Sequence, residues 1–213
     1  MTTVDKKLQL YTQQMELIKR RIEVVDSIII SKSHTTPYDA SNIELCCLQL
    51  RKCIELIVMS SLVANSETYL EMYRRLGRDW RASLISKDLE RINPNFYPKP
   101  IRIIPHDDGP DEFVELDASK YISCDALLGY YEKIGAIMHS ENPFGKQIDY
   151  AEYGVLIRRC RDEVIKLLNV HLAHLSDGQS MLYVVMQSDR DGKVHISYFQ
   201  KTKNEEATTD DNS

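Results

Sequence analysis

The chain has 213 residues, of which 43% are hydrophobic and 28% charged, an ordinary composition for one globular domain. Its net charge of −5 excludes attraction to nucleic acid or anionic lipid over the whole surface, so such a contact needs a local basic patch. The longest apolar runs are too short to span a bilayer, and residues 1–10 lack the apolar core of a signal peptide, so we expect a cytoplasmic protein with no membrane partner.

The five cysteines form an odd set without paired metal-ligand spacing, which favours buried thiols in a reducing compartment. The sequence also lacks a Gly-rich phosphate loop and an H-E-x-x-H motif. We therefore expect neither a metal site nor a cofactor.

A heptad pattern of apolar residues predicts one long helix over residues 4–30. Two interpretations of this apolar seam stay open: the helix packs within its own chain, or it joins two protomers in a homodimer. The seam consists of Val4, Leu8, Tyr11, Met15, Ile18, Ile22, Val25 and Ile29.

The next helix begins near Asp39 or Ser41, and Ser41 stands at capping-box spacing from Glu44. From Ile43 to Ala64 it is apolar nearly all round, which predicts a position in the middle of a helical bundle. Further helices are expected over 69–76 and 80–92.

Five prolines between residues 94 and 110 exclude helix there, and two short strands are expected at 101–104 and 113–116. Helix resumes from about Ser123 to His139. The apolar pattern then predicts a last long helix from Tyr150 to Leu175, with His171 on its inner face and Asp177-Gly178 at its end.

The strongest hairpin signal is 182–187 and 194–199 around a loop rich in Asp and Gly. A lone hairpin is marginal in water, so we expect it to pair with the strands of the Pro-rich region. The predicted fold is α+β and mostly α: a bundle of five or six helices with a small antiparallel sheet from about 101–116 and 182–199. Residues 1–200 would form a single domain, and 201–213 a disordered acidic tail.

The most distinctive local sequence is Tyr130–His139, a helix that carries Lys133 and ends in an imidazole. Glu132 and His139 share a helix face, and Gly135 and Ala136 would leave a shallow groove between them. His139 could then act as a general acid or base near neutral pH. The alternative is that His139 caps the carbonyl end of the helix.

This segment resembles the HEPN superfamily (higher eukaryotes and prokaryotes nucleotide-binding), whose helical domains carry an Arg, four to six residues, and then a His. Here five residues separate Lys133 from His139, and Ile134-Gly135 is similar to the family's common context. The resemblance implies metal-independent RNA cleavage, usually across a dimer, in a bacterial stress or defence system. Lys replaces the Arg and loses its bidentate grip on phosphate, so the resemblance equally implies a degenerate, regulatory member.

Two further features bear on this resemblance. Asn142-Pro143-Phe144 is similar to a pattern in a bacterial protein family of unknown function. In the second helix, Arg51 and Glu55 stand four residues apart and point into the bundle, where they can pair. Either Arg51 is the phosphate cation beside His139, oriented by Glu55, or the pair is an internal structural tie.

A basic stripe of Arg74, Arg78 and Arg81 lies beside Trp80. Such a stripe could bind single-stranded RNA through phosphate contacts and stacking, although nearby acidic residues also suit a solvated face. The resemblance therefore implies a protein that binds or cleaves RNA, or a degenerate regulatory member, with a site at His139, Lys133, Arg51 and Glu55. The alternative from another class is a non-catalytic protein–protein interaction module or a homo-oligomeric scaffold.

Overall fold

A computed structural model describes residues 2–30, 36–66, 81–106, 109, 112–139, 144–145 and 147–201. The predicted helix over 69–76 and the acidic tail beyond residue 201 lie outside the described residues. So do Arg74, Arg78 and Trp80.

Within these ranges the chain forms an α+β fold that is mostly helical, as predicted. The helices are α1 (Thr3–Ile30), α2 (Asp39–Ala64), α3 (Ala82–Ile92), α4 (Cys124–Ala136) and α5 (Tyr150–Leu168), with a short 3-10 turn at Ala118–Lys120. The strands are β1 (Lys99–Ile104), β2 (Glu112–Glu115), β3 (Val170–His174), β4 (Ser180–Val185) and β5 (His195–Gln200).

Helix α2 is the centre of the bundle, because it packs against α1, α3, α4 and α5. Its apolar residues are accordingly buried on several sides, with Leu50, Cys53, Ile54 and Ile57 fully buried. The seam of α1 is buried within the same chain, at Tyr11, Met15, Ile18, Ile22 and Val25. These seam residues are thus already covered by α2 and its neighbours. None of the helices in the described ranges has both the length and the apolar character needed to cross a membrane.

Helices α1, α4 and α5 begin at side-chain caps that the sequence supplies, and at the start of α1 the Thr2 hydroxyl accepts from the Asp5 N–H. Ser123 accepts a hydrogen bond from the Ala126 N–H and starts α4, and Asp149 accepts from the Ala151 and Glu152 N–H groups and starts α5. These caps fix where α4 and α5 begin.

The five strands form one antiparallel sheet in the order β2-β1-β3-β4-β5. Alternate residues of β4 are buried, so Leu182 and Val184 face the helices while Met181, Tyr183 and Val185 lie on the other side, called here the outer face. Both predicted hairpins are present in this sheet.

The predicted last helix from Tyr150 to Leu175 is wrong at its end. Helix α5 stops at Leu168, and Val170–His174 forms β3, which lies between β1 and β4. The Pro-rich strands therefore pair with β3, not directly with the C-terminal hairpin. Asp177-Gly178 is the β3–β4 turn: Asp177 accepts from the Gln179 and Ser180 N–H groups, and Gly178 has a φ of 66°.

Candidate functional site

The carbonyl end of α4 carries two of the residues predicted for the site. Lys133 is exposed in the last turn, the helix ends at Ala136, and His139 is exposed two residues beyond the C-cap residue Ile137. A cation at the carbonyl end of a helix is favoured by the helix dipole. Among the described residues, neither the Lys133 ammonium nor the His139 ring has an ion-pair partner.

The other two predicted residues approach α4 from α2. The Arg51 Nε lies 3.6 Å from Glu55 Oε1, and both side chains are partly shielded from solvent, at 27% and 36% exposure. One helical turn separates the two residues, so the pairing follows from the α2 backbone. Arg51 thus leaves α2 already oriented by a carboxylate.

Tyr131 is a site residue that sequence reasoning missed. The Arg51 guanidinium lies over its ring at 3.7 Å from the centroid, and donates to the Tyr131 hydroxyl (2.5 Å) and carbonyl (3.2 Å). The Tyr131 hydroxyl in turn donates to Glu55 Oε1 at 3.1 Å. A cation over an aromatic face is attracted by the ring quadrupole, so ring, hydroxyl and carbonyl all hold the same guanidinium.

Burial and the neighbouring Glu55 carboxylate raise the pKa of the Tyr131 hydroxyl above its usual value. The group therefore stays protonated near neutral pH and keeps donating to Glu55. No local pattern in the sequence could have linked Tyr131 to Arg51, because eighty residues separate them.

Gly135 is a second site residue whose contact was not predicted from the sequence. A Cβ built at this position would collide with Arg51 Nη1. The missing side chain therefore lets the guanidinium lie directly against the last two turns of α4. The shallow groove expected along Gly135 and Ala136 is, at Gly135, filled by Arg51.

The geometry thus gathers Arg51, Glu55 and Tyr131 into one hydrogen-bonded cluster, called here the Arg51 cluster. Each nitrogen of the guanidinium faces a protein group, which is the arrangement of an internal tie between α2 and α4. Lys133 and His139 lie on the same end of α4 but on its exposed surface. A phosphate ligand would reach Arg51 only by displacing these protein contacts.

Helix α5 also holds this end of α4. The Tyr153 hydroxyl donates to the Lys133 carbonyl at 3.1 Å, which satisfies one of the carbonyls left open at the helix terminus. The α4 end is therefore fixed from two sides, by α2 and by α5.

The predicted basic stripe is represented in the described residues by Arg81 alone. Arg81 is the exposed N-cap residue of α3, and its carbonyl accepts from the Leu84 and Ile85 N–H groups. Arg74 and Arg78 lie outside the described residues, so the stripe stays a prediction.

The described part of the chain contains no cluster of three His, Cys, Asp or Glu side chains able to hold a metal ion. The cysteines there are free thiols, and burial raises the pKa of Cys46 to about 11 and that of Cys53 to about 12. A thiol with a raised pKa carries little thiolate at neutral pH and is a poor nucleophile or metal ligand.

Comparison of the chain with protein-family models, curated proteins and solved structures finds no match. The resemblance to the HEPN superfamily therefore rests on the residues between Lys133 and His139 and on Arg51 and Glu55 in α2. It stays a hypothesis about these positions.

Proposed function

We propose that this protein binds RNA in the bacterial cytoplasm as a HEPN-like member of a stress or defence system, with its site at the end of α4. The observation that supports the proposal is the exposure of both Lys133 and His139 at that end of the helix. This end of the helix presents one ammonium group and one imidazole to solvent.

Phosphate contact is the chemistry that this pair suits best. The Lys133 ammonium attracts a phosphate as a point charge, and His139 can donate a hydrogen bond to the same or a neighbouring phosphate. The same imidazole could accept the proton of a ribose 2′-hydroxyl, the step that would begin metal-independent cleavage. Because Arg51 is held by Tyr131 and Glu55, we propose that RNA binding is the main activity. RNA cleavage is a second activity that is tested separately.

The test is binding of a fluorescent single-stranded RNA, followed by anisotropy at several salt concentrations with chelator present. Lys133→Gln and His139→Ala should each weaken binding severalfold, and Lys133→Gln should also flatten the salt dependence by roughly one counterion. The matched control is Lys87→Gln, because Lys87 is an exposed lysine of α3. Equal affinity in all four proteins, or no binding by the unaltered protein, would refute the proposal.

The same samples report on cleavage. An active enzyme shortens the RNA in the presence of chelator, and His139→Ala stops the reaction while the melting temperature stays within a few degrees of the parent. A binding protein without activity leaves the RNA intact. A large fall in melting temperature for His139→Ala would show instead that His139 caps α4.

A specific observation also favours the second function, a protein interaction module. The outer face of the sheet carries an aromatic cluster in which Phe113 and Tyr183 stack at 4.8 Å and Phe199 lies about 6 Å from both. Phe113 and Phe199 are 39% and 41% exposed. Exposed aromatic side chains of this kind are enriched at protein interfaces.

A further inference from the structure

The two edges of the sheet differ in how they are protected. Strand β2 is a four-residue edge with Glu112 and Glu115 at its ends, and short charged edges resist pairing with other chains. Strand β5, at the opposite edge, has six residues and contains neither proline nor a Lys, Arg, Asp or Glu. It therefore lacks the usual devices that keep an edge strand unpaired.

The hydrogen-bond pattern shows which residues of β5 face this free edge. The Lys201 N–H donates to the Gln179 carbonyl, so the backbone groups of Lys201 point toward β4. Ser180 lies opposite Gln200, but its carbonyl points toward β3 and accepts from the Leu175 N–H. Backbone groups alternate in direction along an antiparallel strand. Ile196, Tyr198 and Gln200 therefore point their N–H and C=O groups away from β4.

Helix α1 covers only the beginning of this edge. Glu16 accepts from the Val194 N–H, and Lys19 donates to the Gly192 carbonyl. In the described residues, no backbone hydrogen bond reaches Ile196, Tyr198 or Gln200 from beyond the sheet. The open part of the edge thus consists of these three residues.

We propose that β5 pairs antiparallel with β5 of a second copy of this chain, across a two-fold axis at Tyr198. In that register Tyr198 faces its own copy, and Ile196 faces Gln200 of the partner subunit. All three outward-facing residues then meet outward-facing residues, which gives about six new backbone hydrogen bonds. No carboxylate, ammonium or guanidinium of β5 opposes its own copy, and the symmetric contact closes as a dimer.

The side chains of the outer face fit the same register. Ser197 and Phe199 both lie on that face with Tyr183, and Ser197 would stand opposite Phe199 of the partner subunit. A small residue opposite a large one can pack across the two-fold axis. The aromatic clusters of the two subunits would then continue into one surface over the joined sheet.

Cysteine pairing tests the register directly. Two variants of the full chain, Ser197→Cys and Phe199→Cys, are oxidised separately and as a mixture. In the proposed register residues 197 and 199 of the two subunits form a non-hydrogen-bonded pair with Cα atoms about 4.5 Å apart, within disulfide range. Each residue lies about 8 Å from its own copy, beyond that range.

We therefore expect a covalent dimer in the mixture and little or none in either variant alone. The unaltered chain, with its own five cysteines, is the control. A mixture that cross-links no better than the separate variants would overturn the register.

The solution mass tests the dimer itself. Sedimentation equilibrium of the unaltered chain should show a concentration-dependent rise from 24.7 kDa toward twice that mass. Gln200→Pro removes an edge-facing N–H without removing a bond to β4, so it should raise the dimer dissociation constant at least tenfold. Gln200→Ala keeps the N–H and should dimerise like the parent. A monomer at all concentrations, or equal dimerisation by both variants, would overturn the proposal.

Discussion

Arg51 can lie against the backbone of α4 because residue 135 has no side chain. The guanidinium then gains the Tyr131 ring, hydroxyl and carbonyl, while Glu55 balances its charge from α2. A partly buried cation held in this way links α2 to the last turns of α4, the helix that carries Lys133 and leads into His139. The Arg51 cluster therefore helps to fix the helix on which the proposed RNA site is built.

The dependence of Arg51 on Gly135 predicts coupling between the two positions. In an Arg51→Met background, Gly135→Ala should stabilise the fold by about 0.5–1 kcal/mol, because alanine is the better helix former. In the parent, the new methyl group displaces the guanidinium. The hydrogen bonds lost in this way, worth about 1 kcal/mol, offset the gain in helix stability. Urea unfolding of the four proteins measures the difference.

Gly129→Ala is the control for this cycle, since Gly129 lies in α4 with open space beside it. Its effect on the free energy of unfolding should be the same in the parent and in the Arg51→Met background. An equal effect of Gly135→Ala in both backgrounds would show that Arg51 gains nothing from the glycine.

His171 gives a second prediction at the residue scale. Its ring is fully buried under α1, where the Tyr11 hydroxyl lies 3.0 Å from Nε2 and the Leu168 carbonyl 2.7 Å from Nδ1. Nδ1 must donate to the carbonyl, and burial disfavours a second proton on the ring, so Nε2 is unprotonated and accepts from the Tyr11 hydroxyl. Burial lowers the pKa of His171 to about 4.

Because this pKa lies below the unfolded value of 6.5, the unfolded chain takes up the proton first as the pH falls. His171 therefore leaves stability unchanged above about pH 6.5, and reduces it between about pH 6.5 and pH 4. Between pH 7.5 and pH 5.0 the loss amounts to about 2 kcal/mol. Urea unfolding at these two pH values measures how much the free energy of unfolding falls. The fall should be about 2 kcal/mol smaller in His171→Gln than in the parent. His195→Gln removes only a solvent-exposed ion pair with Asp191, which contributes little, so its loss should stay close to that of the parent. An identical loss in His171→Gln and the parent would contradict the prediction.

At the scale of elements, the sequence patterns predicted the helices and both hairpins but missed β3. The apolar stripe of α5 continues through His171 to Leu175 at helical spacing, so the pattern shows no break after Leu168. A short central strand is covered on both faces, and His171, Leu172 and Ala173 are all buried without the alternation that identifies a strand. The Asp177-Gly178 turn was the available signal for a hairpin, although the same pair also suits a helix end.

The same limit applies to the site. Spacing within one helix predicted that Arg51 and Glu55 could pair, because that contact is local. The contact of Arg51 with Tyr131 and Gly135 depends on how α2 and α4 pack, and no periodicity in either helix encodes it. Local patterns therefore predicted the ion pair and the helix end, while the packing between helices supplied the rest of the Arg51 cluster.

The β3–β4 turn provides a prediction at this scale. Gly178 has a φ of 66°, a conformation that residues with a side chain rarely adopt, although a Cβ there would meet no atom. Gly178→Ala should therefore destabilise the fold by about 1 kcal/mol through backbone strain alone. Gly129→Ala, in the helical backbone of α4, should stabilise it by a similar amount. Melting temperatures that move in the same direction for both variants would contradict this explanation.

At the scale of the whole molecule, α1 connects the helical bundle to the sheet. Along one side it packs on α2, and Arg21 donates to Gln49 at 2.7 Å. Arg161 of α5 makes a two-pronged ion pair with Asp26, with distances of 2.7 and 2.9 Å. Toward the sheet, Tyr11 contacts β3 through His171. The first element of the chain is thus held by elements from nearly its whole length.

These contacts predict that the bundle and the sheet unfold as one cooperative unit, since α1 and α5 both pack on the sheet and the buried apolar residues of helices and strands form one cluster. Urea unfolding followed by far-ultraviolet circular dichroism reports the helices. The fluorine resonance of 3-fluorotyrosine at Tyr183, assigned with the Tyr183→Phe variant, reports the aromatic cluster of the sheet. The two transitions should have the same midpoint. Asp26→Asn removes one partner of the ion pair and should shift both midpoints together, by the equivalent of about 1 kcal/mol for a partly exposed pair. Separate midpoints, or a shift confined to the helical signal, would show that the sheet folds independently of the bundle.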